Sequence, residues 1–247
     1  MFNLCIFQAG PINEKLISIY PSYDNMFCSL LKFKKRKWNV EVFNIYENKF
    51  PTDLKKFDGF IITGSAFGVY DKYPWITKLL KIIKKIADTE IPLVGICFGH
   101  QAIAEALGGK VKKSDKGWGI GVSETFFKNN KVWLTDITKL QLIYFHQDQV
   151  IKLPPNAELI AGNKFCNIAS FTLKESIFTL QGHPEFSIDF SLKLLEARKN
   201  DLDFQIYSNA KNQFKKNQHE GLNISQNIIN FLEKKILNFN QYKNNNN

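Results

Sequence analysis

Through the first hundred residues, short apolar runs alternate with longer stretches of helical periodicity. Asn3–Ala9 (NLCIFQA) has the pattern of a buried strand and is broken by Gly10-Pro11. Helical spacing follows over Tyr23–Lys35. Trp38–Glu47, rich in β-branched and aromatic residues, predicts a second strand. Phe57–Gly64 predicts a third, ending in the small-residue loop Gly64-Ser65-Ala66. Pro74 then stands at the first position of a helix whose apolar stripe is Trp75, Leu79, Ile82, Ile83 and Ile86. Ile91–Ile96 is a fourth strand. This alternation predicts an α/β fold with a mostly parallel central sheet flanked by helices on both faces.

After Gly109 the pattern changes to short strand-like segments separated by turns: Gly109–Lys113, Gly117–Phe127, Lys131–Thr135, Glu158–Asn163, Cys166–Leu173 and Ser176–His183. These predict added antiparallel strands, the last returning to the sheet near Gln181. Helices are expected over Ser187–Lys199 and Ser225–Leu237. The expected organisation is one α/β domain over residues 1–200, a C-terminal helical extension over 201–237 packing on that domain, and a disordered, Asn-rich tail over 238–247.

Composition narrows the class. No apolar run reaches the roughly 18 residues of a membrane span, and the N-terminus lacks the basic and apolar regions of a signal peptide. Four scattered cysteines without a Cys-x-x-Cys pair argue against a zinc site or a disulfide scaffold and for a reducing cytosol, so a cytoplasmic location is expected. No metal and no cofactor are expected, and no glycine loop with Lys-Ser/Thr is present to cradle phosphate. The net charge of +10 raises nucleic-acid binding. Its lysines are dispersed, however, and arginine occurs only at Arg36 and Arg198, so that class is set aside.

The sharpest local signal is VGICFGHQAIAEALGG, Val94–Gly109. A strand runs into a helix through Cys97, with Gly95 and Gly99 two residues to either side. That is the spacing of a nucleophile elbow with sulfur in place of the serine oxygen. The glycines fit a turn whose neighbouring backbone is too close for a Cβ. The helix N-terminus favours the thiolate and offers the Phe98 N–H to an oxyanion. A thiolate also needs a base. His183, in LQGHPEF, precedes Pro184, which holds it extended; residues two apart then project to one side, so Glu185 can orient the imidazole. His100 reads as structural and His219 as solvated, while His146 stays open between ligand contact and structure.

These residues resemble class I glutamine amidotransferase domains, nearest the GMP-synthase-like branch. The matching segments are Ile62–Ser65 (ITGS), Gly95–Gly109, Gly117–Gly121 (GWGIG), Tyr144–Val150 (YFHQDQV) and Gln181–Phe186 (QGHPEF), in family order over about residues 1–200. The resemblance implies a flavodoxin-like fold and a Cys97-His183-Glu185 triad acting through a γ-glutamyl thioester. It also implies an oxyanion hole of backbone N–H groups at Phe98, Gly64 and Ser65. Gln101 and the chain at His146, Gln147 and Asp148 would hold the substrate's amino-acid end. The substrate would be glutamine or a γ-glutamyl peptide or amide. Three readings stay open: a glutaminase supplying ammonia to a synthase subunit, a stand-alone γ-glutamyl hydrolase, and a catalytically idle binding module. Specificity is expected in the segments Ala66–Tyr73 and Asp201–Gly221.

Overall fold

The structure, a computed structural model, describes the backbone of residues 1–128, 131–134 and 137–244, and the side chains of these residues except at 33, 34 and 235–244. In chain order the strands are β1 (Asn3–Gln8), β2 (Asn39–Asn44), β3 (Gly59–Ile62), β4 (Leu93–Ile96), β5 (Lys110–Lys113), β6 (Gly119–Phe127), β7 (Lys139–His146), β8 (Asp148–Lys152), β9 (Ala157–Gly162), β10 (Ser170–Leu173) and β11 (Ile177–Leu180). The helices are α1 (Tyr23–Leu31), α2 (Phe33–Arg36), α3 (Pro74–Ala87), α4 (Phe98–Ala106), α5 (Ile188–Ala197), α6 (Phe204–Lys216) and α7 (Gly221–Asn244).

Nine strands form one sheet in the order β2-β1-β3-β4-β11-β10-β9-β6-β7. The first five are parallel and the last four antiparallel, as the two halves of the sequence pattern predicted. Alternate side chains of β1 and β3 face opposite layers. Cys5, Phe7, Phe60 and Ile62 pack under α3 and α4, whereas Leu4, Ile6 and Ile61 pack under α1 and α7. At the antiparallel end Ile120, Val122, Ile143 and Phe145 are covered by α5 and α6.

Register places the site. Ile62 pairs with Gly95, and Gly95 pairs with Thr179, so the chains leaving the carboxyl ends of β3, β4 and β11 emerge side by side. In open α/β sheets that edge is where ligands bind.

Several elements depart from the sequence pattern. α1 ends at Leu31 because Lys32 turns left-handed at φ 52°. Lys131–Leu134 is a turn rather than a strand; it sets the Trp133 ring 4.6 Å from Phe178 and 5.0 Å from Phe231, and Thr135 lies outside the described residues. β5 pairs with β8 in a separate two-stranded ribbon and does not join the main sheet. α6 falls within the helical extension expected over 201–237, but the sequence pattern does not show its bounds, because its buried Tyr207, Ala210 and Phe214 are hidden among lysines and asparagines. α7 runs on to Asn244, through most of the segment expected to be a tail, and residues 245–247 lie outside the described residues.

Candidate active site

β4 passes into α4 through Cys97 alone, at φ 51° and ψ −102°. A non-glycine residue there costs about 1–3 kcal/mol and persists only where its surroundings hold it. Here they do. The Cys97 N–H donates to the Leu180 carbonyl at 2.8 Å, and its own carbonyl accepts from the Gln101 N–H at 3.1 Å. A Cβ on Gly99 would lie 2.3 Å from the Ile62 carbonyl oxygen, and one on Gly95 would lie 2.6 Å from the Gly99 backbone. Both glycines are therefore required by close packing of α4 onto β3 and β4, the reason the sequence suggested. Gly108, at φ 93°, follows the end of α4 in the expected manner.

His183 sits just beyond β11, its N–H donating to the Ile143 carbonyl at 2.8 Å. Its Nδ1 is 2.8 Å from Glu185 Oε1, and both side chains are buried. With Nδ1 engaged by Glu185, Nε2 is the nitrogen left for Cys97, whose side chain acts on the His183 ring electrostatically. Burial alone would lower the His183 pKa; the Glu185 carboxylate and then Cys97 outweigh it and raise it to about 10. The imidazolium is also stacked on Phe186, ring centroids 3.9 Å apart, with Tyr23 stacked beyond it at 6.1 Å. On the other side, a Cβ at Gly64 would lie 2.8 Å from His183 Cε1 and 3.6 Å from Cys97 Cβ. The backbone at Gly64 thus lies close to both the His183 ring and the Cys97 Cβ. The Phe98 N–H, in the first turn of α4, has no intrahelical acceptor.

Two cavities meet at Cys97. The smaller, about 250 Å³, is polar: Ser65, Gln101, His146, Gln147 and Asp148 line it together with Asp71, Lys113 and Arg198. The larger, about 610 Å³, holds Gly64 and His183 beside an apolar wall that includes Ile12, Ile17, Tyr23, Phe186 and Leu194.

Cys97, His183, Glu185, Phe98, Gly64, Ser65, Gln101, His146, Gln147 and Asp148 are therefore all gathered at one place. The polar residues named for the substrate's amino-acid end also bond to one another. Gln101 Nε2 donates to the Asp148 carbonyl at 2.9 Å and to Gln181 Oε1 at 3.0 Å, and His146 Nδ1 meets the same carbonyl at 2.9 Å. These groups lock the turn at residues 146–148. Burial lowers the His146 pKa to about 4, so it is neutral. Ser65 Oγ donates to the Ala9 carbonyl and accepts from Phe67 N–H, which shapes the loop. His100 is wholly buried with Nδ1 on Thr179 Oγ1, as expected of a structural residue. His219 is not solvated: it is half-buried behind the His-Pro-Glu corner, Nε2 against the Pro184 carbonyl at 3.3 Å.

Two contributors, Arg198 and the segment after β1, carried no clear sequence signal, whereas Tyr70 belongs to the expected segment Ala66–Tyr73. Arg198 lines both cavities, its guanidinium 4.9 Å from the Trp118 ring. Tyr70 donates its hydroxyl to Asp148 Oδ1 at 2.8 Å. The segment after β1 forms one wall of the larger cavity. Of the two segments expected to set specificity, Ala66–Tyr73 reaches both cavities at Cys97, whereas Asp201–Gly221 lines neither.

Comparison with known proteins identifies the family. The model of the family described as glutamine amidotransferase class-I matches residues 17–195. Gamma-glutamyl peptidase 4 of Arabidopsis thaliana is 35% identical over 199 residues, 77% of this chain and 78% of that protein. Gamma-glutamyl peptidase 2 of the same plant is 30% identical over 237 residues, 92% of this chain and 94% of that protein. Among solved structures, a glutamine amidotransferase from Thermotoga maritima superposes with a TM-score of 0.74 at 18% identity, covering 95% of this chain and 97% of that one, which supports the fold. The chain is a hydrolytic enzyme belonging to the class-I glutamine amidotransferase family.

Proposed function

We propose that this enzyme cleaves γ-glutamyl amides whose leaving group is larger than ammonia, by a Cys97-His183-Glu185 triad. The observation that carries the reading is the meeting of the polar and apolar cavities at Cys97. The polar cavity suits the charged amino-acid end of a γ-glutamyl group. Ammonia needs only about 30 Å³, as a water does. The second cavity, about 610 Å³, is instead in the range that holds an organic group. The names of the two plant relatives point the same way.

In this mechanism the Cys97 thiolate attacks the γ-carbonyl carbon, and the oxyanion is met by N–H groups at Phe98 and the Gly64-Ser65 loop, each worth roughly 3 kcal/mol. Collapse breaks the C–N bond; His183 gives its proton to the departing amine, leaving a γ-glutamyl thioester on Cys97. Water then attacks the thioester while His183 takes its proton. Glutamate leaves and the thiolate–imidazolium pair is restored. Glu185 holds the imidazole in its tautomer throughout. Gln101 and His146 act on the substrate's amino-acid end through the turn they lock.

The test is release of glutamate and free amine from glutamine and from γ-glutamyl dipeptides by the purified protein, with Cys97→Ser as the control. Dipeptide turnover well above glutamine turnover, abolished in Cys97→Ser, supports the reading. Slow, Cys97-dependent turnover of glutamine alone would replace it with an ammonia-supplying subunit.

A further inference from the structure

The segment between β1 and α1 is built as a wall. It is closed on itself by bonds from Leu16 N–H to the Asn13 carbonyl at 2.8 Å and from Tyr20 N–H to the Leu16 carbonyl at 2.9 Å. One end is pinned at Gly10, where a Cβ would come 2.9 Å from Ser65 Oγ. The other end is pinned by the Tyr20 hydroxyl on Asp189. Ile12 and Leu16 are buried against Phe186 and α5. Ile17 is not: it is 54% exposed, yet it lines the larger cavity beside Cys97 and His183. Glu14, also exposed, lines the same cavity and has no ion-pair or hydrogen-bond partner among the described residues. The other charged groups in that lining are His183 and Arg198, and Arg198 is 3.6 Å from Asp201.

A cavity-facing isoleucine left half in water gains burial only when something apolar occupies the cavity. An unpaired carboxylate on the same rim discriminates by charge. We propose that the segment 11–17 selects the leaving group, Ile17 packing against an apolar stem on the released amine and Glu14 favouring an amine with a second positive charge over one with an added carboxylate. This rests on the γ-glutamyl amide reading above and names its substrate class: γ-glutamyl conjugates of amines with an apolar stem and a cationic end.

The experiment compares kcat/KM for γ-glutamyl-phenylalanine, γ-glutamyl-lysine, γ-glutamyl-glutamate and glutamine in the full chain and in Ile17→Ser, Glu14→Gln and Glu14→Lys. Loss of one apolar contact in a pocket lowers the γ-glutamyl-phenylalanine to glutamine ratio roughly tenfold in Ile17→Ser. The wild type prefers γ-glutamyl-lysine to γ-glutamyl-glutamate by about threefold, the worth of an exposed charge pair. Glu14→Gln abolishes that preference, and Glu14→Lys reverses it. If Ile17→Ser fails to fold, the two Glu14 variants decide the matter. Ratios equal to wild type in variants that cleave the peptides, or equal losses on every substrate, overturn the assignment while the γ-glutamyl amide reading stands. A wild type that turns over glutamine alone overturns both.

Discussion

Glu185→Gln keeps the size of the side chain and removes its charge. In the native site, burial draws the His183 pKa down while Glu185, then Cys97, raise it to about 10. With the carboxylate gone, burial is opposed by Cys97 alone. Taking a return to the ordinary value of 6.5 as the working figure, the imidazolium fraction at pH 8 falls from about 99% to about 3%. A step that needs the proton on His183 to release the amine is then slowed roughly thirtyfold at pH 8. At pH 6 the fraction is still about 76%, and the loss is only about 1.3-fold. The assay is initial-rate kcat/KM for a γ-glutamyl dipeptide from about pH 5.5 to about pH 9.5, in wild type and variant, with folding checked by circular dichroism. The alkaline limb moves to lower pH in the variant. A loss of equal size at every pH would show that Glu185 only positions the ring, and full activity at pH 8 would remove it from the triad.

Cys97→Ala eliminates turnover in a chain that still folds, and His183→Ala lowers kcat by about a thousandfold; residual wild-type rates in a clean Cys97→Ala preparation would void the site assignment. Gly99→Ala forces a Cβ to 2.3 Å from the Ile62 carbonyl and destabilises by about 2 kcal/mol, a fall in Tm of about 5 °C that calorimetry detects. Because the His183 pKa is raised on folding, its contribution to stability is complete below 6.5 and is lost as pH rises through about 10. Wild-type Tm therefore declines across that window more than the Tm of Glu185→Gln, and parallel declines would contradict the ion pair. Tyr70→Phe deletes the bond to Asp148 and raises KM about threefold more than it lowers kcat; equal effects on both would place Tyr70 elsewhere in the mechanism.

Much of the molecule could be read from residue pattern because the parallel half follows simple rules. Strands buried on both faces appear as continuous apolar runs, and Pro74 marks its helix. The Cys97 corner is legible because its glycines are demanded by backbone contacts that admit no side chain. His183 and Glu185 are legible because Pro184 fixes the geometry between them. The antiparallel half is less transparent. Lys131–Leu134 carries β-forming residues yet turns, since Trp133 is claimed by Phe178 and Phe231, residues distant in sequence. Arg198 has no local motif; its place at the cavities comes from the end of α5 meeting Trp118. The segment 11–17 looks like an ordinary connection until the fold brings it opposite Cys97. Gln101 shows a further limit: the family resemblance places it at the substrate's amino-acid end, but residue pattern does not reveal that its Nε2 also bonds the Asp148 carbonyl and Gln181.

The elbow is wedged between Ile62, Leu180 and the first turn of α4, with no slack for even one methyl group at Gly95 or Gly99. The sulfur cannot be re-aimed by small steps, because any step that moves it must first loosen two neighbouring strand ends and the first turn of α4. The walls of the larger cavity include a surface connection with partly exposed side chains, free to change without disturbing the core. Redesign of this enzyme should therefore divide cleanly. Changing the exposed positions Glu14 and Ile17 retargets it while Ile12 and Leu16, buried against Phe186, hold the bond-breaking apparatus as it is, whereas selection for a different nucleophile or a shifted attack angle meets a barrier set by the folded core itself.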